Sequence, residues 1–153
     1  MGPFGVEAQR ILRLEKGHLI VGQDTDGLTQ GFSAGLGWAI RLDKDDFAGQ
    51  PELAWQAANA DYPRLVGLQP VDGSVVPPEA CQIVGDGSSI VGRITSSRMS
   101  PALGRSICLA QLAAHLATPG TQVNVLLPDG RRVPARVMEG VAHFDPDGER
   151  MRA

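Results

Sequence analysis

Residues 5–49 read GVEAQRILRLEKGHLIVGQDTDGLTQGFSAGLGWAIRLDKDDFAG, and this run decides how the rest of the chain is placed. Phe4, Ala8, Ile11 and Leu12 recur at helical spacing and form one apolar arc, which predicts a helix over residues 5–14. Gly17 is positioned to end it, because glycine enters the left-handed conformation at a helix C-terminus without a steric penalty. A short extended piece follows at residues 18–21. Residues 23–33 are polar, with Gly22, Gly27 and Gly31 as punctuation, and read as a loop. Residues 36–42 alternate in character and predict a strand. A second helix is predicted over residues 51–60, with Pro51 in the first turn, where a missing N–H costs little. It ends near Tyr62 and Pro63.

Beyond Pro63 the texture changes. Short strands are predicted at residues 64–70, 81–84, 89–96, 106–112, 122–127 and 132–139. Turn chemistry separates them at Gly85-Asp86-Gly87, Ser100-Pro101, Pro119-Gly120 and Asp129-Gly130. Asp-Gly between two strands suits the positive dihedrals of a tight hairpin. Strands this short and numerous need closure to hide their edges. The expected fold class is therefore α+β: a short N-terminal helix/loop/strand segment followed by a small antiparallel β-barrel. The expected division falls at residues 1–62 and 63–153. Residues 1 to about 50 are too few and too loop-rich for a core of their own, so they must pack on the barrel or on a partner. No internal repeat or low-complexity segment interrupts either part.

Composition narrows the function classes. The 153 residues are 42% hydrophobic and 20% charged, which suits a soluble globular chain. The formal net charge is -3 with Lys and Arg scattered, so no basic stripe points to nucleic acid. No apolar run approaches the roughly 20 residues of a membrane span, and MGPFGVEAQR has no apolar signal core. A cytoplasmic setting is expected. Cys81 and Cys108 form no CxxC and read as reduced, partly buried thiols. His18, His115 and His143 show no metal-ligand spacing. His115 follows an apolar run and is expected to be half-buried, while His18 lies near Glu15. No G-x-G-x-x-G opens a helix after a strand, so a dinucleotide site is not expected.

The opening run, LRLEKGHLIVGQDTD above all, resembles the folate-binding segment of the aminomethyltransferase superfamily. That superfamily holds the glycine cleavage system T protein, dimethylglycine oxidase and the alpha subunit of heterotetrameric sarcosine oxidase, the last nearest in wording. LDKDDFAG resembles the family pattern DK-x-DFIG, and Thr95-Ser-Ser-Arg-Met-Ser-Pro101 the TS-x-x-x-SP signature of its C-terminal barrel. Residues 144–150 resemble its terminal FDP-G-R segment. The resemblance spans nearly the whole chain but only about the last half of the transferase module. It implies the end of a longer protein, and it favours a partner over the barrel as the cover for the N-terminal segment. The family aspartate that meets the reacting nitrogen of the substrate–folate pair has no counterpart in this sequence.

Glu15 is the leading site residue. At about 100° per residue it falls within the apolar arc, where a carboxylate is desolvated and needs donors; the alternative places it in solvent at the frayed helix end. The resemblance decides between them, because the Glu of the family's LRLE motif holds the pterin ring of tetrahydrofolate. Lys44 stands where some relatives carry an Arg on folate. It keeps the charge for a glutamyl tail without the planar fork, or else it is a solvated turn lysine beside Asp43, Asp45 and Asp46. Trp38 is either core packing on its strand or a wall for the ligand ring. Asp24 and Asp26 lack the later ligands of a calcium loop and read as structural Asx turns. Thr95–Pro101 reads as a turn held by side-chain hydrogen bonds. Tyrosines near the C-terminus help bind folate in some relatives; here Glu149 and Arg150 occupy that place.

Two functions follow. The resemblance implies the C-terminal part of a T-protein-like or sarcosine oxidase alpha-like enzyme. It would contribute Glu15, Lys44 and Trp38 to a tetrahydrofolate site, where the one-carbon unit of an oxidised N-methyl amine gives 5,10-methylenetetrahydrofolate. Flavin and NAD would sit on absent parts or partner subunits, and the implied partners are the N-terminal part or other subunits of an amine-oxidising complex. The alternative is a non-catalytic assembly module of such a complex that no longer binds folate. Gly31 where relatives often have Pro, and Gln50 where many have Arg or Lys, lean toward the alternative. Exposed apolar surface on residues 1–50 would mark a missing partner under either reading.

Overall fold

Six strands form where turn residues divide the second part of the chain: β1 (Arg64–Pro70), β2 (Gln82–Val84), β3 (Ile90–Ser100), β4 (Arg105–Leu112), β5 (Gln122–Leu126) and β6 (Arg132–Val137). A computed structural model describes residues 2–85 and 89–150, so the predicted Gly85-Asp86-Gly87 turn lies mostly outside the described residues. The strands run antiparallel in the order β1-β4-β3-β2-β5-β6, and β6 pairs back onto β1 to close a barrel. Closure leaves no free edge among them. The Asp129-Gly130 turn behaves as expected: Gly130 has φ 86°, Leu127 N donates to Arg131 O at 2.9 Å, and the Asp129 carboxylate accepts Arg131 N.

Side chains alternate between two apolar cores. Leu68, Ile83, Ile94, Ala110 and Val125 fill the barrel interior, where the free thiols of Cys81 and Cys108 also lie. Burial pushes the Cys108 thiol up to about 12. Leu65, Ile107 and Leu109 point the other way and meet Leu14. Thus β4 is covered on both faces, and every residue from Ser106 to Leu112 is buried.

Leu14 belongs to α1 (Val6–Lys16), which lies against the outside of the barrel. Gly17 ends it as predicted, with φ 77°; its N–H and that of His18 close onto Leu14 O and Arg13 O. The helix runs two residues past its predicted end, which carries Glu15 into its last turn. The predicted apolar arc is not its buried face. Phe4 is 71% and Leu12 58% exposed, while Leu14 and Glu15 are buried. The second helix, α2 (Gln50–Ala58), has Pro51 in its first turn. The strand predicted at residues 36–42 does not form. Gly37–Ala39 make a single 3-10 turn instead, set by bonds from Leu36 N to Gly31 O and from Ile40 N to Gly37 O. Gly35 supplies a positive φ of 75° at its entry, which an extended strand does not accommodate.

The last described segment, residues 138–150, returns as a strap between the barrel and α1. Met138 N donates to Gly67 O, and His143 N and Phe144 N both donate to Glu15 O. Two glycines make room for it: a Cβ on Gly17 would lie 2.7 Å from Val141 C, and one on Gly67 2.8 Å from Gly140 O. His143 is buried beneath the strap. Its Nε2–H donates to Cys108 O at 2.8 Å, leaving Nδ1 without a partner. Burial, reinforced by the Arg105 charge and partly offset by that hydrogen bond, lowers its pKa from 6.5 to about 4. His115, in contrast, is exposed on a 3-10 turn rather than half-buried.

This sets a pH window. As pH falls, the unfolded chain takes up a proton at His143 near 6.5, while the folded chain does so only near 4. The contribution is complete above about pH 6.5, is lost between there and about pH 4, and is flat below. It amounts to roughly 3 kcal/mol. Urea midpoints measured from pH 7 to pH 4 are expected to fall in the wild type and to fall less steeply in His143→Gln.

Candidate functional site

Glu15 reaches its position through backbone as well as side chain. Its carbonyl accepts two N–H groups from the strap at 2.8 and 2.9 Å, and Ser100 Oγ donates to its Oε1 at 2.5 Å. Next to it, Lys16 Nζ donates to the carbonyl oxygens of Asp145 and Pro146. Glu15 is 6% exposed, and it is buried against the barrel and not by the helical arc.

A cleft of ≈ 570 Å³ opens beside this helix end, with Lys16, His18, Leu65 and Trp38 among its lining. Trp38 is 82% exposed, which overturns core packing as its role. It stands on the cleft rim because the 3-10 turn carries it outward. The Glu15 carboxylate is not part of the cleft lining. Lys44 lies apart from both, exposed on a loop. That loop is held by Gln50, whose Nε2 donates to Leu42 O at 3.1 Å and Lys44 O at 3.0 Å. Trp38 and Lys16, the residue next to Glu15, therefore line one cleft, and neither Glu15 nor Lys44 is among its lining. At the C-terminus the Arg150 guanidinium lies 4.9 Å from the Phe144 ring centre, and Glu149 N donates to the Asp145 carboxylate.

The sequence reading missed a buried polar node that seats this region on the barrel. Asp24 is fully buried. Its Oδ2 accepts Arg13 Nη1 at 2.6 Å and Ile20 N at 2.8 Å, and its Oδ1 accepts the Thr95 and Ser96 hydroxyls, each at 2.6 Å. Arg13 Nη2 also donates to Ser96 Oγ, and Gln111 Nε2 to Asp24 O. Thr95–Pro101 is thus not a turn; residues up to Ser100 belong to β3. A bulge between Ile94 and Ser96 brings two successive hydroxyls to one carboxylate. With Asp24 spent in this way, a calcium role for the GQDTDG loop is closed. Asp26 is an Asx turn as expected, accepting Leu28 N and Thr29 Oγ1. Hydrogen bonds from Arg93 first, then Thr29 and Leu28, hold its carboxyl at about 2. Among the described residues no group of His, Cys, Asp and Glu could hold a metal ion, and none of the described helices is long and apolar enough to cross a membrane.

Comparison with known proteins agrees with this architecture. Residues 64–143 match the glycine cleavage T-protein C-terminal barrel domain, and residues 1–44 match the GCVT N-terminal domain. The chain belongs to the glycine cleavage T-protein family. It is 38% identical over 138 residues to an aminomethyltransferase of a Nostoc species, covering 90% of this chain and 36% of that protein. It is 35% identical over 165 residues to the sarcosine oxidase subunit alpha of a Corynebacterium species, covering 97% of this chain and 16% of that one. The chain therefore spans about a third or less of the length of these curated relatives. In fold it matches the glycine cleavage system aminomethyltransferase T of Bartonella henselae, with a TM-score of 0.85 at 21% identity, covering 93% of this chain and 39% of that one.

Removing the Asp24 carboxylate leaves the Thr95 and Ser96 hydroxyls and the Ile20 N–H without the acceptor they share, and the Arg13 guanidinium without its counter-charge. Asp24→Ala is expected to cost about 3–5 kcal/mol, read from urea unfolding. A loss under 1 kcal/mol would mean the node does not seat the N-terminal segment.

Proposed function

We propose that this chain forms the C-terminal part of a tetrahydrofolate-binding aminomethyltransferase of the T-protein or sarcosine oxidase alpha kind. In this reading residues 1–62 are the remnant of a folate-binding domain and residues 63–153 the barrel that supports it. Glu15 accepts the paired N–H groups of the pterin ring, Trp38 walls the ring, and Lys44 meets the anionic glutamyl tail. What carries the reading is a buried carboxylate held at the end of α1 beside a cleft with an exposed tryptophan on its rim. That donor set suits the group: a carboxylate takes two parallel donors at about 1.5–3 kcal/mol each, and an indole face stacks on a flat heterocycle. Tetrahydrofolate, when bound, supplies the nitrogens that receive the one-carbon unit of an oxidised N-methyl amine. This chain's residues bind and orient; none of them is assigned to proton or carbon transfer.

The partner is the N-terminal part of such an enzyme, or another subunit of an amine-oxidising complex. Phe4, Val6, Leu12, Val21 and Leu28, all in the N-terminal segment, are 58–91% exposed, which is the apolar exposure expected where a partner docks. A second reading, an assembly module without folate, draws on the same carboxylate: Glu15 is already satisfied by Ser100, and Gln50 has no charge to offer a glutamyl tail.

Calorimetric titration with 5-formyltetrahydrofolate separates the two. Binding is expected in the wild type and is expected to weaken at least tenfold in Glu15→Ala. If the wild type fails to bind both alone and with a co-expressed N-terminal partner, the assembly module stands instead.

A further inference from the structure

Ser100 is the last residue of β3 and is fully buried. The β3–β4 turn fixes its backbone, with Gly104 N donating to Ser100 O at 2.9 Å. Its Oγ accepts Leu103 N at 3.1 Å. With that N–H on one lone pair, the hydroxyl proton is directed to Glu15 Oε1, 2.5 Å away. Glu15 is meanwhile held from behind: the strap takes its carbonyl, and the left-handed Gly17 fixes the helix end. One carboxylate oxygen is thus tied to the barrel, and the plane of the group is set by a residue 85 positions away in sequence.

We propose that Ser100 is a positioning residue for the ligand-binding carboxylate. It holds Oε1 so that the remaining carboxylate edge faces the pterin N–H groups. This rests on the folate reading of Glu15 and adds to it that the barrel takes part in recognition through one hydroxyl. Two parallel hydrogen bonds to a planar ligand require a fixed carboxylate plane, and a group free to turn about its last torsion, broad for Glu, gives up part of both. The link between barrel and ligand then runs through a single O–H.

The test is titration of the full chain, wild type and Ser100→Ala, with two probes: 5-formyltetrahydrofolate, and p-aminobenzoylglutamate, which carries the tail but no pterin. Ser100→Ala is expected to weaken the first roughly tenfold and to leave the second within twofold. Ser100→Cys, which keeps a weak donor of similar shape, is expected to fall between them and serves in place of Ser100→Ala if that variant does not fold. Equal affinity of wild type and Ser100→Ala for 5-formyltetrahydrofolate overturns the proposal and leaves the folate reading intact. Parallel loss of both probes makes Ser100 a packing residue only and overturns it too. A wild type that binds neither probe, both alone and with the co-expressed N-terminal partner, removes the folate reading, and the positioning role with it.

Discussion

The Asp24 carboxylate is the constraint on which the arrangement of this molecule turns. It sits out of reach of water and is answered by four donors drawn from three places: α1, the loop after it, and the bulged strand β3. A buried carboxylate tolerates no partial solution. Arg13, the loop at Ile20 and the two hydroxyls must be in register together for both carboxylate oxygens to be satisfied. The N-terminal segment, which lacks a core of its own, is thereby held at a defined angle on the barrel. Leu14 then finds Leu65 and Leu109, and Glu15 finds Ser100.

This division of labour explains why α1 has two unlike faces. One is used up against the barrel by a single leucine, one arginine and a carboxylate. The other carries Val6 and Leu12, with Phe4 just before the helix, and is left exposed. Its longer relatives extend well beyond what this chain covers, and under the proposed function the exposed face is where the N-terminal part of such an enzyme would sit.

The barrel was legible from sequence because its punctuation is local. Asp129-Gly130, Pro119-Gly120 and Ser100-Pro101 each announce a turn within two residues, and the strands between them had nowhere else to go. The N-terminal segment was less legible, for physical reasons. Residues 36–42 show alternation, but Gly35 and Gly37 allow a folded turn that the pattern cannot distinguish from a strand, and Trp38 is turned outward as a result. The burial of Glu15 was anticipated, yet through the wrong neighbours: the arc that was to desolvate it is largely solvent-facing. Asp24 was read as a local turn residue because its decisive partners, Thr95 and Ser96, are 71 and 72 positions away. A bulge, invisible to a period-two pattern, brings both to it. Nothing short of the folded chain joins Ser100 to Glu15.

The strap has a consequence in time as well as in space. Lys16 is bonded to a carbonyl 129 residues further along, and Glu15 O to amides at positions 143 and 144. During synthesis at roughly 5–20 residues per second, the first helix therefore waits several seconds for the segment that will lock its end. Throughout that interval the barrel strands are emerging and pairing. The helix that carries the candidate ligand-binding carboxylate is thus made well before the segment that secures its end.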